Sequence, residues 1–130
     1  MDVWEYFAQR EREFEEMSVD GSDVSFFEEA GSDGQRGRVI GHAYFNETAY
    51  LEIQERVEIQ GNSIHRTDYG YFFIVGGEEI WGYERDPTHE PAVHRHTFGH
   101  EERYDADPIS FKRACELGWR EISLDQTDAE

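Results

Sequence analysis

The sequence predicts an α+β domain: a single antiparallel β-sheet of about five to six strands, with an N-terminal and a C-terminal helix. Three observations predict it. Apolar residues recur at helical spacing near both ends of the 130-residue chain. Between them lie segments that alternate apolar and polar residues, separated by glycine-bearing turns. No helix-period segment interrupts those strands, so the βαβ units that build parallel sheets are missing.

Asp2 to Met17 reads as an amphipathic helix. Asp2 is its cap, Glu5 sits three residues on as in a capping box, and Val3, Trp4, Phe7, Phe14 and Met17 form its apolar side. Gly21 ends the segment. Val24 to Glu29 and Arg36 to Phe45 then read as strands joined by the glycine-rich turn 30–34. Ala49 to Ile59 alternates most clearly. Leu51, Ile53, Glu55, Val57 and Ile59 take one face, and Glu52, Gln54, Arg56 and Glu58 the other. Gly61-Asn62 and Gly76-Gly77 are turns that bound Ile64 to Val75, with Tyr69, Tyr71 and Phe73 on one face. Glu79 to Arg85 pairs back.

From Asp86 to Asp107 the alternation lapses. Pro108 is expected to open a second helix at its first turn, with Ile109, Phe111, Ala114, Cys115 and Leu117 as its apolar side and Gly118 as its close. Trp119 and Ile122 are expected against the sheet. One domain therefore spans residues 1–124, and 125–130 read as a disordered acidic tail.

Nine Phe, seven Tyr and three Trp supply enough bulk for a core without covalent staples. The single cysteine, Cys115, excludes an internal disulfide and the multi-thiolate zinc knuckles. Thirty acids against twelve bases give a net charge of −18, and only Lys112 among those bases is a lysine. Such a charge strains a small domain by self-repulsion in dilute salt and is screened at molar salt, where the Debye length is about 3 Å. Acids spread over both halves with almost no lysine point to a halophilic, salt-rich cytoplasm. No apolar run reaches the roughly 18–20 residues of a membrane span, and no basic n-region follows Met1, so a cytoplasmic protein with no membrane partner is expected.

The chemistry concentrates in residues 81–103, where four of the six histidines fall. His94 and His96 stand two apart, which on extended backbone puts both rings on one face. Paired imidazoles serve as general base and general acid near neutral pH. Attack on a phosphodiester by the 2′-hydroxyl of RNA needs a base, an acid and a cation over the phosphate. His94, His96 or His89 with Arg85 or Arg95 supply those parts, and Tyr83 is placed to orient or donate. A metal reading competes. His94-x-His96 followed by Glu101 has the spacing of the first half of a cupin metal motif, and imidazole with carboxylate suits zinc, iron, manganese or nickel. The motif's leading glycine and its second half are missing, so neither a metal nor a cofactor is assigned.

The stretch from about Gly37 to Ile122 resembles TumE-like toxins of toxin–antitoxin systems. Leu51-x-Ile53-x-Glu55 resembles that family's Leu-x-Ile-x-Glu strand, and Tyr69-x-Tyr71 its Tyr-x-Tyr strand. Gly82-Tyr83-Glu84-Arg85-Asp86 stands where the family has an Arg-Tyr-Asp-Asn-like strand end, with Gly82 in place of the leading arginine. Pro87-Thr-His89-Glu-Pro91 resembles its Pro-His-His-Pro turn with one histidine absent. His94-Arg-His96 matches its His-x-His pair, and the segment from Pro108 its closing helix. The resemblance implies a toxin and a cognate antitoxin partner, expected to be DNA-binding. With the histidines and arginines above it points to a metal-independent ribonuclease. A non-enzymatic protein-interaction module and a His-dependent metal-binding protein are the alternatives. The sequence carries no signal for an oligomeric state.

Overall fold

The computed structural model describes residues 2–19, 22–88, 92–97, 102–105 and 108–128, with backbone alone for 102–105 and 124–128. Two helices and seven strands follow one another as α1 (Val3–Met17), β1 (Asp23–Glu28), β2 (Arg36–Tyr44), β3 (Ala49–Gln60), β4 (Ser63–Val75), β5 (Glu78–Arg85), β6 (Val93–Thr97), β7 (Glu102–Asp105) and α2 (Phe111–Asp128). The strands form one sheet in the order β1-β2-β3-β4-β5-β6-β7, and every neighbouring pair is antiparallel. The α+β antiparallel architecture is the expected one, with more strands than the sequence indicates. β6 and β7 lie where the alternation lapses.

The chain makes its turns with residues at positive φ: Gly31, Asp33 and Gly34 between β1 and β2, Gly61 between β3 and β4, and Gly76-Gly77 between β4 and β5. The Asp2 carboxylate caps α1 by accepting from the Glu5 amide at 3.1 Å. The face of α1 differs from expectation at two positions. Trp4 is half exposed and Arg10 is buried in its place, in the stripe Val3, Phe7, Arg10, Phe14. The exchange follows from the position opposite Arg10 on the sheet, where Glu55 occupies a buried site.

The start of α2 also differs. The helix begins at Phe111 and not at Pro108, with Ser110 as its cap: the Ser110 hydroxyl oxygen accepts from the Arg113 amide at 3.1 Å and its carbonyl from the Ala114 amide at 3.0 Å. Gly118 does not close the helix. It lies inside α2 because the Phe45 ring lies across it, 2.6 Å from where a Cβ would sit. The helical backbone runs on to Asp128, through the first residues of the expected tail, while 129–130 lie outside the described residues.

Both helices cover the same face of the sheet. Phe14 of α1 stacks on Phe111 of α2 at 4.7 Å, and the Trp119 indole donates to the Met17 carbonyl at 2.7 Å. Beneath them lie Val39, Leu51, Ile53, Val57, Tyr71 and Phe73, all buried. The registers fix which residues share the opposite, outer face. Gln54, Gly70, Glu84 and His94 form one row across β3 to β6, and Glu52, Phe72, Gly82 and His96 the next. Among the described residues, no helix is long and apolar enough to cross a membrane.

Candidate functional site

Two constellations of polar groups stand out, one on each face of the sheet. On the outer face, antiparallel pairing brings β6 beside β5, with His94 opposite Glu84 and His96 opposite Gly82. His94 and His96 therefore project together, as their spacing predicts. Their ring centroids are 5.5 Å apart. Nε2 of His94 is 2.9 Å from Oε1 of Glu84, and Nε2 of His96 is 3.9 Å from the same oxygen. On its other side, Nδ1 of His96 is 3.3 Å from Oε2 of Glu79. One carboxylate thus faces both imidazoles, and a second stands behind one of them.

Glycine makes this arrangement possible. A Cβ at Gly82 would fall 2.7 Å from Cε1 of His96 and 2.7 Å from the Phe72 ring. Gly70 likewise leaves room for Phe72, which lies flat along the sheet and stacks on His96 at 5.8 Å. Gly82 therefore has a steric reason: any side chain there would displace both rings. Both imidazoles are fully buried, whereas the Glu84 side chain retains 16% exposure. Glu84 lines a cavity of about 380 Å³ with Gln54, Asp68, Phe72 and Arg85. One end of this cavity is shaped by Asp86, whose carboxylate accepts from the Thr88 amide at 2.9 Å and from its hydroxyl at 2.6 Å.

The other residues singled out in the sequence are distributed differently. Arg85 borders the same cavity as Glu84. Tyr83 and Arg95 pair across β5 and β6 but face the helices, with the Arg95 guanidinium 5.8 Å above the Tyr83 ring. They line a separate cavity of about 210 Å³ with Leu117, Arg120 and Glu121, and the sheet divides them from the imidazoles. His89 and Glu101 lie outside the described residues.

The second constellation is one that sequence reasoning missed. Glu55 occupies an apolar position of β3 and is buried under α1. It accepts from Tyr6 at 2.8 Å, from Arg10 Nε at 3.1 Å, and from the Tyr71 hydroxyl. Arg66 extends the network, donating to Tyr71 at 2.8 Å and to the Ile109 carbonyl at 2.5 Å. Burial opposes the Arg10 charge, and the adjacent Glu55 more than offsets this, so the guanidinium holds its proton even more firmly than usual. Burial and then Glu55 push the Tyr71 phenol well up, so it stays protonated and donates. The one signal for this network was a glutamate in the buried register of an otherwise apolar strand. Its groups are paired, so it joins α1 to the sheet rather than presenting a reactive atom.

The outer-face cluster has reactive donors beside an opening, and is the better candidate. No curated protein and no solved structure gives a significant match to the chain. A family model described as Toxin TumE matches residues 7–124, nearly the whole length, and the chain accordingly belongs to the TumE toxin family.

Proposed function

We propose that this toxin acts on RNA, and that Glu84, His94 and His96 on the outer face of the sheet are its reaction centre. One observation supports this above others: a single carboxylate in a cavity wall, with two imidazoles drawn onto it from behind. RNA carries its own nucleophile. A carboxylate at the wall can take the 2′-hydroxyl proton and return it to the leaving oxygen, and the imidazole 2.9 Å behind it can share that proton in between. Arg85, at the rim of the same cavity, supplies a cation for the phosphate. Tyr83 and Arg95 are given no part, since the sheet separates them from the cluster. In a chain of net charge −18, RNA binding would rest on stacking and hydrogen bonding more than on phosphate neutralisation, which high salt weakens in any case. The cognate antitoxin, in this reading a DNA-binding protein, would silence the toxin by binding it.

The test is incubation of the purified protein with total RNA in molar KCl. Discrete cleavage by the wild type and none by folded Glu84→Gln or His94→Gln/His96→Gln is the expected result. Intact RNA with folded wild-type protein contradicts the reading. The complete burial of both imidazoles favours a second reading, a toxin that acts by binding a protein, with the histidines as internal supports. Growth arrest that persists in a folded His94→Gln/His96→Gln variant, together with a stable protein complex, would establish that reading instead.

A further inference from the structure

We infer that Glu84, His94 and His96 bind one divalent transition-metal ion of the zinc, manganese, iron(II), cobalt or nickel class. The inference concerns the proposed reaction centre and depends on that reading only for the ion's part in a reaction. Ion binding itself is argued from the geometry.

Each of the three residues offers a donor atom, and these atoms all lie within 4.8 Å of one another. Ligand atoms about 2.0–2.2 Å from one ion stand at most about 4.4 Å apart. Three ligands in a tetrahedral array stand only about 3.3–3.6 Å from one another, so shifts of about an ångström in the widest pair bring all three onto a common centre. Two imidazoles with one carboxylate form the donor set that catalytic zinc and non-haem iron sites use, with positions left for water or substrate. Glu84 lines the cavity and the histidines lie behind it, so the cavity is the side from which an ion would reach the three donors.

A second, independent observation points the same way. Nδ1 of His96 lies 3.3 Å from the Glu79 carboxylate. The approach lacks hydrogen-bond geometry, but a small turn of the ring as it takes up an ion would let Nδ1–H donate to this carboxylate, the usual support of a metal-bound histidine. The other ring nitrogen, Nε2, lies on the Glu84 side, 3.9 Å from its Oε1. The steric evidence agrees. Gly82 and Phe72 fix the His96 ring from two sides, so the donor is held in place before the ion arrives.

The experiment uses the full-length protein, stripped with a chelator and dialysed into molar KCl, where adventitious cation binding to the acidic surface is screened. It is titrated with Zn²⁺ and, separately, with Co²⁺. One equivalent per chain is expected, with visible absorption bands of bound cobalt and a raised Tm. Glu84→Gln, at a partly exposed position, should abolish stoichiometric binding. Glu79→Gln should weaken it by about 10–100-fold through loss of imidazole support. His42→Gln, a histidine paired with Asp23 elsewhere on the sheet, should leave it unchanged. Should His94→Gln fail to fold, the two glutamate variants carry the test. Substoichiometric binding by folded wild type, or undiminished affinity in folded Glu84→Gln, overturns the inference. One bound ion per chain without RNA cleavage overturns the RNA reading alone. RNA cleavage without any bound ion overturns the metal site alone.

Discussion

Gly82 is the residue on which the outer-face cluster turns. It lies under both His96 and Phe72, each 2.7 Å from the position of an added Cβ. Gly82→Ala should cost about 1–3 kcal/mol by overpacking and move the His96 ring. Urea denaturation reads the first effect, and metal titration the second. Gly70→Ala crowds Phe72 alone, at 2.5 Å, so it should destabilise the fold and largely spare the His96 donor. Arg10 and Glu55 make the other residue-scale prediction. Removing one partner strands a charge in a buried site, so Arg10→Met should cost about 3–5 kcal/mol, and Arg10→Met with Glu55→Leu less than the sum of the single changes. Additive losses in urea melts would contradict the coupling.

The elements that could be read from the sequence are those whose periodicity answers to one buried face. β3 is the clearest case, with Leu51, Ile53, Val57 and Ile59 buried in strict alternation. β6 is not legible because its two buried residues, both on the outer face, are histidines: Val93–Thr97 alternates in burial, but not in hydrophobicity. The spacing of His94 and His96 gave their shared face, while their partner Glu84 became evident only with the β5–β6 register. Tyr83 and Arg95 are near them in sequence, yet the two-residue period of the same strands sends them to the helices. Gly118 resembles a helix end by composition. Its actual role is to admit the Phe45 ring, so Gly118→Ala should destabilise the fold despite a helix-propensity gain of up to about 1 kcal/mol. A higher Tm in this variant would show that Phe45 yields.

At the scale of the whole molecule, charge and burial set the conditions under which the toxin is folded. With a net charge of −18, Tm should rise between dilute and molar KCl as the Debye length contracts from about 30 Å to about 3 Å. Alkali should act in the opposite sense. Burial pushes the Cys115 thiol and the Tyr6 and Tyr71 phenols up. In the unfolded chain these groups ionise near about 8.5 and 10. Their folded pKa values are the higher ones, so stability is intact below about pH 8 and is lost as pH rises beyond the unfolded values. Urea midpoints against pH should show that decline, and Cys115→Ala should remove its lower part. The central claim, that the toxin acts through the outer-face cluster, is tested most directly by growth after induction without antitoxin. Wild type and His42→Gln should arrest growth, and Glu84→Gln, present as folded protein at the same level, should not. Equal arrest by Glu84→Gln would contradict the account.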